Sequence, residues 1–277
     1  VEKRPASFVV LRTVRGKYVE KLKVDGLKVG EGTPVLQGAP LELPIPRALA
    51  GPGLLADTIV RRWQDHLPLH RLERIYGREG FPLARTTMCG WHQAVAELTK
   101  PLVEAMFKDA LANSPYLCAD ATGVLVQDAE KCRHGHFFVL VAPERHVLFR
   151  YTPTHNGKAV DALLSGYQGY LVADAHSVYE HLYTRGDVVE VACWAHTRRY
   201  FFKSLETDAP RTKHALALIQ SLIALEREWA SLAPNERFSL RQAKSRPVVD
   251  AFFRWCDEES LKVLDETPIS KGVRYAR

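Results

Sequence analysis

The sequence predicts an α/β protein, and three observations carry that reading. Apolar residues keep a helical spacing over residues 52–112. They turn β-rich and alternating from Tyr116, and return to helical spacing after Cys193. Within the β-rich stretch the elements order as three strands, helix, strand, helix, strand. Two aspartates stand at polar breaks in its apolar runs: Asp120 in Leu117-Cys118-Ala119-Asp120-Ala121-Thr122-Gly123-Val124, and Asp174 at the end of Tyr170-Leu171-Val172-Ala173-Asp174. A carboxylate so placed projects from a rigid strand.

Residues 1–46 read as a small β-rich or extended region. Phe8-Val9-Val10-Leu11 has strand composition, and Tyr18 to Val24 alternates in part. Gly30, Gly32, Pro34, Gly38, Pro40, Pro44 and Pro46 then mark a linker. Residues 47–115 read as helical. Pro52 suits a first turn, with Leu54, Leu55, Ile59 and Trp63 at helix spacing. Pro68 opens a second helix, which Gly77 or Gly80 ends. The order helix, glycine turn, Leu83-Ala84-Arg85-Thr86-Thr87, helix has the form of a helix-turn-helix, whose second helix can enter a major groove. A helical hairpin that only packs has the same form. A long helix then runs from Trp91 toward Ala112, with Pro101 marking a kink or a junction.

Residues 116–194 hold the sheet. Strands are expected at 117–127, 136–141, 147–151, 170–173 and 187–192, with a turn at Asp128–Gly135. Helices are expected at 158–164 and 177–182. That order predicts an RNase-H-like fold, in which the first and fourth strands are neighbours. Asp120 and Asp174 would then meet although they are far apart in the chain. Residues 195–277 read as a helical insertion. Apolar faces run through Ala215, Leu218, Ile219, Leu222, Leu225 and Trp229, and through Val248, Val249, Phe252, Phe253 and Cys256. Residues 260–277 show no complete element.

Composition narrows the class. An apolar content of 46% is that of an ordinary globular core. No apolar run approaches the roughly eighteen residues a membrane helix needs. The opening Val1-Glu2-Lys3-Arg4-Pro5 has no signal-peptide core and no initiator Met, and reads as a trimmed N-terminus. The net charge of +6 favours a polyanionic partner. The five cysteines are scattered and form no CxxC, which argues against a disulfide framework or a structural zinc site and for a reducing, cytoplasmic setting.

Three ordered segments then carry a resemblance: Tyr116 to Val126, Gly169 to Leu182, and Val188 to Phe201 with its Cys193-Trp194-Ala195-His196 motif. Together they resemble the DDE transposases of the insertion sequence 66 family. The stretch from Asp65 to His92 is similar to the region before that family's catalytic core. The resemblance implies a metal-dependent phosphoryl transferase that cuts and joins DNA at mobile-element ends, using Mg²⁺ or Mn²⁺. It implies Asp120 and Asp174 as catalytic carboxylates and metal ligands, with Thr122, Cys193 and His196 in support. Arg198, Arg199 and Lys203, together with Arg85, Thr86 and Thr87, are the candidate DNA contacts. Element ends and target DNA are the implied partners. A homo-oligomer and other proteins of the same element stay open.

Departures from the family pattern matter as well. Ala121 stands where such proteins usually carry a glutamate after the first aspartate. The third acidic residue, expected in a segment like D-N-N-x-x-E-R after the insertion, has no counterpart. Glu226, Glu228, Glu258 and Glu259 are alternatives on helical faces. The family's N-terminal coiled coil and cysteine-rich segment have no counterpart either. The chain therefore reads as a fragment that stops before the last catalytic helix. An inactive DNA-binding remnant and an RNase-H-like nuclease with another substrate are the rival readings.

Overall fold

The structure is a computed structural model that describes residues 8–19 and 35–277. Two compact units divide at Glu104 and Ala105. In the first, β1 (Lys17–Val19) pairs antiparallel with β2 (Val35–Gln37). The expected strand over Tyr18–Val24 is therefore met at Tyr18 and Val19; the rest of it lies outside the described residues. β2 falls in the stretch expected to be linker. Phe8–Leu11 form no strand, and among the described residues none pairs with them. Val9, Val10 and Leu11 are exposed, and Phe8 instead stacks on Phe81 at 4.6 Å.

Helix α1 (Pro52–Ile59) starts on a proline at its first turn and runs into a π-helical turn, Val60–Gln64. Helix α2 (Leu69–Arg78) follows Pro68, and Gly80 takes the left-handed conformation (φ 84°) that lets the chain turn away. Helix α3 (Arg85–Asn113) is one element and continues through Pro101. Leu55, Leu72, Tyr76, Met88 and Trp91 close the core of this unit. The Tyr76 hydroxyl donates to Asp57 at 2.6 Å, so its one polar atom is satisfied.

The second unit is built on a five-stranded mixed sheet. Its strands are β3 (Tyr116–Gln127), β4 (Cys132–Ala142), β5 (His146–Thr152), β6 (Gly169–Ala173) and β7 (Val188–Ala192), in the order β5-β4-β3-β6-β7. β4 begins four residues earlier than expected, so the turn before it spans only 128–131. Gly135 makes that extension possible: the Tyr151 ring lies where its side chain would be. β3 pairs antiparallel with β4 and parallel with β6, and β6 pairs parallel with β7. Helix α4 (Gly157–Leu163) is capped by Asn156, whose side chain accepts from the Ala159 N–H at 3.0 Å. Helix α5 (Glu180–Arg185) ends on Gly186 at φ 82°.

Alternation sends Leu117 and Ala119, Phe138 and Leu140, and Leu171 and Ala173 to one face. There they meet Phe107, Val160, Leu163 and Leu182. Each large side chain so buried contributes about 1.5–3 kcal/mol. After β7 come α6 (Trp194–Phe202), α7 (Ala209–Glu228), α8 (Pro234–Leu240), a π-helical turn at Arg241–Ser245, α9 (Arg246–Ser260) and α10 (Pro268–Ala276). Phe201, Ile219, Phe252, Cys256, Ile269 and Val273 form their common core. Helix α10 lies where no element was expected. Its signal was Thr267-Pro268: the threonine side chain caps the Ser270 N–H at 3.3 Å, and the proline fills the first turn. Among the described residues no helix is long and apolar enough to cross a membrane.

Candidate active site

Register brings the two aspartates together. Cys118 of β3 pairs with Val172 of β6 as the last pair of that ladder, and the same register carried two residues further sets Asp120 level with Asp174. Ala173 pairs with Ala192 of β7, which sets Cys193 next to Asp174 in turn. Asp120, Asp174 and Cys193 thus form a row where the parallel strands β6 and β7 end beside β3. Parallel pairing fixes this arrangement, since a slip of one residue would turn Asp120 into the core face. The Asp120 side chain is 57% exposed and Asp174 is partly buried. The Ala121 backbone N–H donates to Asp120 Oδ1 at 2.9 Å, which leaves the second carboxylate oxygen for a ligand.

Helix α6 starts at the end of that row. Cys193 is its N-cap, and its carbonyl accepts from the His196 and Thr197 N–H groups, each at 3.1 Å. The first turn carries His196 to within 3.8 Å of Asp120, Nε2 to Oδ1, with the imidazole only 13% exposed. Burial, and then Cys193, pushes the Cys118 thiol up. Burial also pushes the Tyr179 phenol up, and Asp174 and Asp120 both add to it. One buried phenol therefore senses both carboxylates. Thr122 is exposed on β3 opposite Phe137, two positions beyond Asp120.

Two features escaped the sequence reading. His136, expected to open the second strand, lies inside β4 and stacks on His155 at 5.0 Å, and His155 meets His176 at 4.6 Å. Burial, then His176 and His136, holds the His155 imidazole below its ordinary range, while Asp174 pulls it upward. The histidine after Asp174-Ala175 was the only local hint. The second feature is Tyr275 of α10, which contacts the Asp174 loop; nothing in its local sequence announces that.

A family profile described as "Transposase IS66 family" matches residues 47–277, most of the chain. The chain belongs to the IS66 transposase family. It is similar to three proteins of Sinorhizobium fredii (strain NBRC 101917 / NGR234), each titled as an uncharacterized protein. It is 24% identical to y4hP, covering 99% of this chain and 52% of that protein. It is 26% identical to y4qI over 98% and 52%, and 22% identical to y4jD over 98% and 55%. The chain thus spans about half the length of the curated relatives it matches.

Transposases of this kind generally use divalent metal ions, so the donor set of the IS66 chain is informative. Among the described residues no three of His, Cys, Asp and Glu group so as to hold a metal ion. Two adjacent carboxylates do fit Mg²⁺, which takes one or two from the protein and fills its shell with water and phosphate oxygens. The alternatives for a third carboxylate are engaged or remote in role. Both oxygens of Glu226 accept from Arg241 at 2.6 Å. Glu259 is buried and paired with Arg211 and Lys262. Glu228 and Glu258 are exposed on α7 and α9.

Arg198 and Arg199 of α6 and Lys203, its C-cap, are all exposed. The Arg198 guanidinium lies over Phe202 at 5.9 Å and the Lys203 ammonium near Tyr200 at 5.3 Å. Arg85, Thr86 and Thr87 form the exposed first turn of α3 in the other unit, where the Arg85 N–H donates to Glu73 at 3.2 Å.

Proposed function

We propose that the chain contains the RNase-H-like core of a DDE transposase and acts in metal-dependent cleavage and transfer of DNA strands at mobile-element ends. The observation that carries the reading is the parallel register of β3 and β6, in which Asp120 and Asp174 each follow the last ladder pair, Cys118 with Val172, by two residues. In this reading residues 116–194 are the catalytic core, 195–277 a helical insertion, 47–115 a DNA-binding helical region and 1–46 a small entry region. The strand order β5-β4-β3-β6-β7, three antiparallel strands continued by two parallel ones, supports it.

Asp120 and Asp174 would hold Mg²⁺ or Mn²⁺, which when bound supplies the charge that activates an attacking hydroxyl and stabilises a leaving oxygen. The protein's own part is positional. The β3–β4 ladder fixes Asp120, and the end of β6 carries Asp174 one residue past its last pair. His196 limits the rotation of Asp120 and offers a polar group beside it. Arg198, Arg199 and Lys203 supply sequence-blind attraction to phosphates. Arg85, Thr86 and Thr87 sit where a helix-turn-helix would present base or backbone contacts. DNA is the partner, with a second copy of the chain and other proteins of the same element as further candidates.

The test is strand cleavage of DNA carrying the element's ends, with Mg²⁺ or Mn²⁺. Asp120→Asn and Asp174→Asn should each abolish cleavage and leave DNA affinity unchanged. Cleavage that survives both substitutions sinks the assignment. Salt-sensitive binding without cleavage by the unaltered chain favours the rival reading of a DNA-binding remnant. The observation behind that rival is that no third carboxylate joins the pair among the described residues.

A further inference from the structure

Asp174 lies one residue past the last ladder pair of β6, Ala173 with Ala192. Its backbone is therefore not fixed by the sheet on its far side. The next amide is fixed from a distance: the Ala175 N–H donates to Tyr275 Oη at 3.1 Å, across 100 positions of sequence. Tyr275 is held in turn. Its ring stacks on Tyr200 of α6 at 4.2 Å, with the planes 18° apart. Gly272, one turn earlier on α10, lies against the Phe201 ring, so closely that an added side chain would press on it at 3.1 Å. Helix α10 thus sits on α6, the helix that brings His196 to Asp120. One pair of packed helices reaches Asp120 through His196 and the residue after Asp174 through Tyr275.

We propose that Tyr275 is a positioning residue for Asp174: its hydroxyl fastens the backbone that carries this carboxylate and so sets its place beside Asp120. The inference rests on the reading of Asp120 and Asp174 as a metal-holding pair. The tether explains why a residue in a helical insertion, away from the sheet, keeps a polar contact with the loop at a strand end. The rest of that loop is held by the Tyr179 N–H donating to the His176 carbonyl at 3.1 Å, by the Val178 N–H donating to His176 Nδ1 at 3.2 Å and by the His155 ring against His176. A phenol is suited to the task. Its ring is locked by stacking, so its oxygen is presented with little loss of freedom.

The experiment pairs hydrogen exchange at Ala175 with titration of Mn²⁺ alone, by calorimetry, on the whole chain. Tyr275→Phe keeps the stack and removes the acceptor. Tyr200→Phe changes the partner ring without touching the tether and serves as control. Asp174→Asn defines the metal site. Tyr275→Phe should speed exchange at Ala175 and weaken Mn²⁺ binding about fivefold, the scale of one neutral hydrogen bond. Leu171 in β6 should exchange as before, and Tyr200→Phe should change neither readout. Unchanged exchange at Ala175 overturns the tether. Faster exchange with unchanged Mn²⁺ affinity overturns the positioning role while the metal reading stands. An unaltered chain with no Asp174-dependent Mn²⁺ binding removes the metal reading and the positioning role together, leaving only a fold contact.

Discussion

The imidazole of His196 stands 3.8 Å, Nε2 to Oδ1, from the carboxylate of Asp120. The contact joins the first turn of α6 to the middle of β3 and places a mostly buried ring beside an exposed acid. If Asp120 binds a metal, this ring limits how the carboxylate can turn. His196→Ala should therefore weaken Mn²⁺ binding, or metal-dependent cleavage, by about 10–100-fold, as loss of a group that orients a ligand does. Thermal unfolding should move little. Unaltered Mn²⁺ affinity would make His196 a packing residue only.

The exposed cations of α6 predict a salt effect. Each phosphate contact releases counterions, so Arg198→Ala and Arg199→Ala should each lower the slope of log affinity against log salt by about 1. The loss should be the same for element-end DNA and for unrelated DNA. A slope that stays put in both variants removes α6 from the DNA interface.

Asp109, on the last turns of α3, predicts a pH dependence of stability. Arg145 first, then Asn113 and His146, hold its carboxyl well below the usual carboxylate range. Arg145 Nη2 donates at 2.8 Å and His146 Nε2 lies at 2.7 Å. A carboxyl depressed by folding adds stability above its unfolded value, and that stability is lost as the pH falls from there through the folded value. The window is therefore below about pH 4. Denaturant unfolding of the unaltered chain should weaken across it, and Asp109→Asn should flatten the slope. An identical slope in the variant would assign the effect to other acids.

Phe201 is fully buried between α6, α9 and α10, with Phe252 and Trp255 each 5.9 Å away from ring to ring. Phe201→Ala should cost about 3–5 kcal/mol in denaturant unfolding. Because Gly272 leans on the same ring, the variant should also loosen α10 and expose the Ala175 amide. A smaller cost with the amide still protected would show that α10 is held elsewhere.

Much of the sheet was legible because its signals are local. Alternation in residues 117–127 and the Asn156 side chain that caps α4 each mark an element without reference to the rest of the chain. The neighbour relation of β3 and β6 followed from element order, and it is that relation which sets Asp120 beside Asp174. What was missed depends on distance or on close approach. Gly135 reads as a turn residue until Tyr151 is seen to need its missing side chain. Phe8–Leu11 has strand composition but no partner strand among the described residues. His136, His155 and His176 come from three separate segments, and only the fold stacks them. Helix α10 did have a signal, Thr267-Pro268, but its Tyr275 gained a role from a residue far upstream.

The Tyr275 tether also orders events in time. Closing so long a loop costs only slowly growing entropy, about 0.6 kcal/mol for each doubling of length, yet contacts this remote form late in folding. The sheet can therefore pair, and set its two aspartates side by side, before α6 to α10 have packed. Only then is the Asp174 loop fastened. Pulsed hydrogen exchange during refolding should show Leu171 protected ahead of Ala175, and simultaneous protection would refute the order. In this order the loop that carries Asp174 is the last part of the β6 end to be secured.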